Sequence, residues 1–117
     1  MSEDALWGYQ QDAGYRQGID IVGYKVEATD GGIGKIDKHS EGVGSSHVVV
    51  DTGGWIFGKH VLLPAGTIRR IDTVEEKVYV DRTKEQIKNA PDFDEHKYGD
   101  EPGYLQQFAR YYSRPHM

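Results

Sequence analysis

Five histidines and nineteen carboxylates are the side chains with most chemistry to offer in this chain of 117 residues. His39, His47 and His60 fall in or beside segments that could be neighbouring strands, and His with Asp can hold zinc or another divalent cation. No HxH or HExxH spacing accompanies them, so they read as surface or strand-end histidines. Asp92, Asp94, Glu95 and His96 form an acidic patch. It lacks the ligand order and the glycine of a calcium loop and reads as a solvated linker. No metal site and no cofactor are expected.

Nucleophiles and phosphate cradles are equally weak. Ser45 and Ser46 precede His47, but adjacency in sequence is not triad geometry. Gly31-Gly32-Ile33-Gly34 and Gly42-Val43-Gly44-Ser45-Ser46 are glycine-rich. Neither is followed by Gly-Lys-Ser/Thr, and neither opens a helix, so both read as turns. Lys59, Arg69 and Arg70 could make a small basic spot, yet on a regular strand Arg69 and Arg70 point to opposite faces. No catalytic residue is expected, and the chain reads as a non-enzyme.

The aromatic residues say more. Trp55 and Phe57 follow Gly53-Gly54 and read either as a plug of the fold or as exposed anchors, a role in which aromatics are enriched. Tyr104, Leu105, Phe108, Tyr111 and Tyr112 recur at spacings of three and four, which places them on one side of a helix. That face can pack on its own sheet or on a second copy, in an isologous pair that closes as a dimer. These seven residues are the candidate contacts. Replacing Phe108 and Tyr111 with Ser is expected to lower the assembly state and leave the sheet folded.

The elements that would position them are short. Ile19–Ala28 reads as a strand with Val22, Tyr24, Val26 and Ala28 on one face. Thr29–Gly32 is a hairpin turn, and Ile33–His39 returns, with Gly23 and Gly34 as candidate bulges. His47–Asp51 is β-branched and reads as buried on both faces. Lys59–Leu63, Thr67–Ile71 and Lys77–Asp81 are further strands, the first stopped by Pro64-Ala65-Gly66. At Thr83 the period changes: Thr83-Lys84-Glu85-Gln86 is a capping box that opens a helix ending before Pro91. Gly103–Tyr112 reads as an amphipathic helix. Residues 1–18 read as an extended arm, 19–94 as the domain, and 95–117 as the aromatic helix and tail. The expected fold is all-β: a small antiparallel barrel, a short helix after its last strand and a C-terminal amphipathic helix.

Net charge is −5 and there is no cysteine. The acidic balance argues against direct nucleic-acid binding, and the missing thiols exclude disulfides and Cys-based zinc sites. No run has the length of a membrane span, and the N-terminus lacks the regions of a signal peptide. The expected location is the cytoplasm.

Four segments together resemble the PRC-barrel domain: IVGYKVEATDGGIGKID, HVVVDTGGW, KHVLLPAGTIRRID and EKVYVDRTKEQIKNAPDFD. The most specific pieces are the strand and Asp-Gly turn from Gly23 to Gly34, Leu63-Pro64-Ala65, and Val80 through Ile87. The family includes the cytoplasmic barrel of the photosynthetic reaction centre H subunit and the C-terminal domain of the 16S rRNA-processing factor RimM. The transmembrane helix of the first and the additional barrel of the second have no counterpart here, so a stand-alone bacterial type is expected. The resemblance implies a non-catalytic adaptor that acts on a protein partner through its surfaces, and the aromatic helix face adds the expectation of a homodimer. The alternatives are a ribosome or RNA-maturation accessory factor acting like the RimM barrel, and a barrel that binds a small molecule or metal.

Overall fold

One strand is long enough to serve two sets of neighbours. The computed structural model describes residues 4–41, 46–53, 60–93 and 103–113. In it Gly31–Ser40 (β2) is a ten-residue strand. Its flanking strands are Lys25–Ala28 (β1) and His47–Asp51 (β3). His60–Pro64 (β4), Ile68–Asp72 (β5) and Lys77–Val80 (β6) complete a six-stranded sheet in the order β4-β3-β2-β1-β6-β5. Residues Gly31 to Lys35 of β2 pair with β1, and Lys35 to Ser40 pair with β3. Lys35 alone is held in both ladders, so the two halves of the sheet are offset along β2.

The expectation of an antiparallel-only sheet is corrected at one pair. β1 and β6 run parallel, with Val26 opposite Val78. The reason is the link between β4 and β5, which is a short 3-10 turn, Ala65–Thr67 (η2), and not a hairpin. It resets the up-down alternation, and the β5–β6 hairpin joins the free side of β1. Among the described residues no ladder joins β4 to β5, so the sheet is open in its hydrogen bonding. The turn nevertheless bridges its two edges. Ala65 N–H donates to Ser46 O (2.9 Å), and Asp81 N–H donates to Thr67 O (2.9 Å).

Bulges decide which side chains face inward. In β2 one irregularity leaves Ile33 extra against β1, and Ile33 and Ile36, three apart, are both buried. In β5 Arg69 is the extra residue. Ile68 and Ile71 therefore both enter the core, while Arg69 and Arg70 are both exposed. The opposite-face reading of the two arginines assumed an unbroken pleat. Gly34 is needed where it stands: its φ is 149°, and a Cβ there would lie 2.1 Å from Asp51 O.

The first strand is shorter than its alternation suggests. Gly18 and Gly23 have φ of 84° and 91°. Asp20 Oδ1 accepts the Val22 N–H (3.1 Å), which turns the chain before Lys25. Val22 is consequently exposed, and Tyr24 is half-buried. The other elements follow their local signals. Val78 and Val80 are buried. Lys84–Lys88 (α1) starts on Thr83 with both capping-box bonds, and its first N–H donates to Asp30 Oδ1 (2.8 Å) in the β1–β2 turn.

The N-terminal segment is neither free nor wholly extended. Asp4–Trp7 is a 3-10 turn (η1), and Leu6, Trp7 and Ala13 are buried in the same core as the strands. Ile71 N–H donates to Ala13 O (2.7 Å), which covers the outer edge of β5. Gln106–Tyr112 (α2) is the C-terminal helix, preceded by turns at 103–105. It packs on β4 and η1.

Candidate functional site

Spacings of three and four residues, about one helical turn each, direct the aromatic face of α2 to one side, and the nearest apolar surface is the chain's own sheet. Phe108, Tyr112 and Tyr104 are buried there. Tyr104 meets Phe108 edge-on at 5.5 Å, and Tyr111 meets Tyr112 edge-on at 5.1 Å. Tyr111 O–H donates to Gln86 O (2.5 Å), and Arg82 Nη2 donates to Tyr112 O (2.7 Å). Arg82 is itself buried and ion-paired with Asp81. Burial pushes the Tyr112 phenol well above its usual range. Tyr104, Phe108 and Tyr112 are thus core residues of this chain, and Leu105 and Tyr111 are half-buried against it. Trp55 and Phe57 lie outside the described residues.

The histidines are spread apart. His60 Nε2 is 3.8 Å from Asp37. His47 is buried, with its ring edge-on to Trp7 at 6.1 Å. His39 joins a different group, built by the N-terminal arm. Tyr9 and Tyr15 stack at 3.8 Å with ring planes 5° apart. Tyr9 O–H bonds His39 Nε2 (2.5 Å), and Tyr15 O–H donates to Glu41. Gly18 N–H donates to the same carboxylate (3.1 Å). Among the described residues no group of three His, Asp or Glu side chains could hold a metal ion.

The electrostatics of this cluster favour a fixed network. Burial pushes Tyr9 up, helped by Tyr15 and Glu41. Burial and the bond to Glu41 push Tyr15 up to about 12. Burial also holds His39 below 6.5, against the pull of Glu41 and Asp20. The Tyr15 and Gly18 donors hold Glu41 below 4.5. The phenols therefore stay protonated as donors, the imidazole neutral as an acceptor, and the carboxylate ionised. Such an arrangement ties the arm to β2. Tyr9 and Tyr15 belong to the segment 1–18, where no period of two or 3.6 residues marks what they pack on.

The outer face of the sheet carries a feature that no local motif announces. Register places Asp72, Lys77, Lys25, Lys35, Asp51 and His60 side by side across all six strands. Three lysines are consecutive in that row. Lys77 is 3.9 Å from Glu27. Asp51 Oδ1 accepts Gly53 N–H (2.9 Å), and Asp72 is bound by Arg70 (3.1 Å). Arg70 also lies over the Tyr79 ring at 5.7 Å. Lys25 and Lys35 are exposed, and neither has an ion-pair partner among the described residues.

Two shallow hollows of about 260 Å³ each meet at Gly34 and Lys35. One is lined by Lys25, Glu27 and Gly32, the other by Asp51, Thr52 and Gly53. Both are wide open, which suits contact with a surface or a chain segment better than enclosure of a small ligand. No described helix is long and apolar enough to cross a membrane. No protein-family model matches the chain, and no curated protein matches it.

Proposed function

We propose that the chain is a non-catalytic protein–protein interaction module of the PRC-barrel type that self-associates as a homodimer. The observation that carries this reading is the open outer face, where a row of cations crosses shallow hollows. Support also comes from the Tyr–His–Glu cluster, whose ionisation pattern suits holding the arm and not proton transfer. The PRC-type barrel itself is proposed from the four sequence segments and from the η2 turn that bridges the sheet's edges.

The test is capture of a tagged chain's partners from its host's lysate, with and without nuclease, alongside sedimentation of the purified protein. A stoichiometric protein partner that survives nuclease is the expected result, with a dimer in sedimentation. RNA or ribosomal proteins lost on nuclease treatment would replace this reading with one of RNA maturation. A monomer that retains nothing would end it.

A further inference from the structure

We propose that Lys25 and Lys35, with Lys77 beside them, anchor an acidic peptide segment of a protein partner. This rests on reading the chain as an interaction module. Like charges placed directly opposite one another on neighbouring strands are unfavourable. Here three stand in one row, on a molecule whose 19 acidic residues outnumber its 14 basic ones. Of the acidic residues nearest the row, Glu27 lies by Lys77 and Asp72 by Arg70, while Asp51, opposite Lys35, accepts Gly53 N–H and forms no ion pair with a lysine among the described residues. Lys25 and Lys35 are left facing each other in the hollow they line. A carboxylate brought there relieves the repulsion as well as forming the pair.

The spacing fits an extended segment. Three adjacent strands place the outer lysines about 10 Å apart, at roughly 4.8 Å per strand. Side chains two residues apart on an extended peptide are separated by about 6.7 Å. Carboxylates at alternate positions therefore reach the row, and neutral residues beyond them pass Asp51 and Asp72, which stand at its two ends. A nucleic acid brings a phosphate with every nucleotide and cannot skip those flanks. Among the described residues Tyr79 is the ring beside the row, and Arg70 already lies over it.

The probe is a capped Glu-Ser-Glu-Ser-Glu peptide, titrated into the full chain and followed by amide chemical shifts. Saturable shifts at Lys25, Gly34, Lys35 and Lys77 are expected, weakening as salt rises. Each of Lys25→Glu and Lys35→Glu should weaken binding about fivefold, and the pair more than about tenfold. Lys25→Glu alone should melt no lower than the parent, because it faces Lys35 and Lys77. In the double variant the two new carboxylates face each other and Asp51, so Lys25→Gln with Lys35→Gln serves if its melting point falls. Absence of shifts, shifts mapping elsewhere, or unchanged affinity in the double variant overturns the proposal. Tighter binding of a short oligouridylate to the same face overturns it in favour of a nucleic acid. If the double variant captures the same lysate partner as the parent, the anchor is wrong while the module reading stands. If neither captures a partner and neither dimerises, the module reading fails.

Discussion

Phe108 shows how one residue changes meaning between a periodic pattern and a packed chain. On helical spacing it is a candidate contact, but in the folded chain it is fully buried. Phe108→Ser is therefore expected to cost about 3–5 kcal/mol of stability, read in urea, whereas spacing alone predicts that replacing Phe108 and Tyr111 together lowers assembly and leaves the sheet folded. Tyr111→Phe removes the bond to Gln86 O and should cost about 1 kcal/mol. Gly34 and Gly23 make a second contrast. Both have positive φ, but only at Gly34 would a Cβ strike backbone, whereas the space at Gly23 is open. Gly34→Ala should prevent folding or cost more than about 4 kcal/mol, and Gly23→Ala about 1–2 kcal/mol, from strain alone. Equal midpoints for the two variants would refute the close approach of β2 to Asp51. His39 supplies a pH dependence. Its folded value lies below 6.5, so the unfolded chain binds the extra proton first as pH falls. Its contribution is complete above 6.5 and declines from there towards the folded value. Glu41, depressed below 4.5, contributes above that value and loses its contribution as pH falls through its folded value. Urea midpoints should fall in two steps on acidification, and His39→Gln should flatten only the upper step.

At the scale of elements, the signals that held were those between residues a few positions apart. The capping box of Thr83 and Gln86 is formed as its residue types imply, and Thr83→Ala should cost about 1 kcal/mol, measured by thermal melting. A change within a few tenths would mean that the tertiary bond from Lys84 N–H to Asp30 holds this end without the cap. His47–Asp51 is a strand with the bounds its β-branched run indicates. Strand β1 is six residues shorter than Ile19–Ala28, because alternation from Val22 onward resembles a strand even where Gly23 and the Asp20 turn bend the chain. The bulge at Arg69 was not legible, since nothing in Thr-Ile-Arg-Arg-Ile marks which residue lacks a cross-strand partner.

Across the whole molecule, both terminal segments serve as parts of the core. Leu6, Trp7 and Ala13 from the arm and Phe108 and Tyr112 from α2 belong to one buried cluster with the strands. Arg82 reaches across to the helix's last turn, and Gln10 Nε2 donates to Gly66 O (2.8 Å) at the turn between the two sheet edges. Deleting residues 1–18 is accordingly expected to abolish cooperative unfolding, followed by far-UV circular dichroism in urea. A truncated chain that unfolds at the parent's midpoint would show the arm to be dispensable. With the described parts of the termini engaged in this way, the outer sheet face still carries the exposed Lys25 and Lys35, and its row of charges brings together residues that lie far apart in sequence.

The sequence by itself determined the local pieces: strands from β-branched alternation, breaks at Gly and Pro, one capped helix, one amphipathic helix, and an acidic chain without thiol chemistry. Each depends on backbone preferences and side-chain spacing within about one turn or one hairpin. Only the tertiary structure decided that β1 and β6 run parallel, that the aromatic helix face is covered by its own sheet, and that Lys77, Lys25 and Lys35 stand in line. These depend on register between distant segments. A one-residue slip or bulge exchanges the faces of a strand, and the energy that fixes it is summed over packing contacts across the whole core.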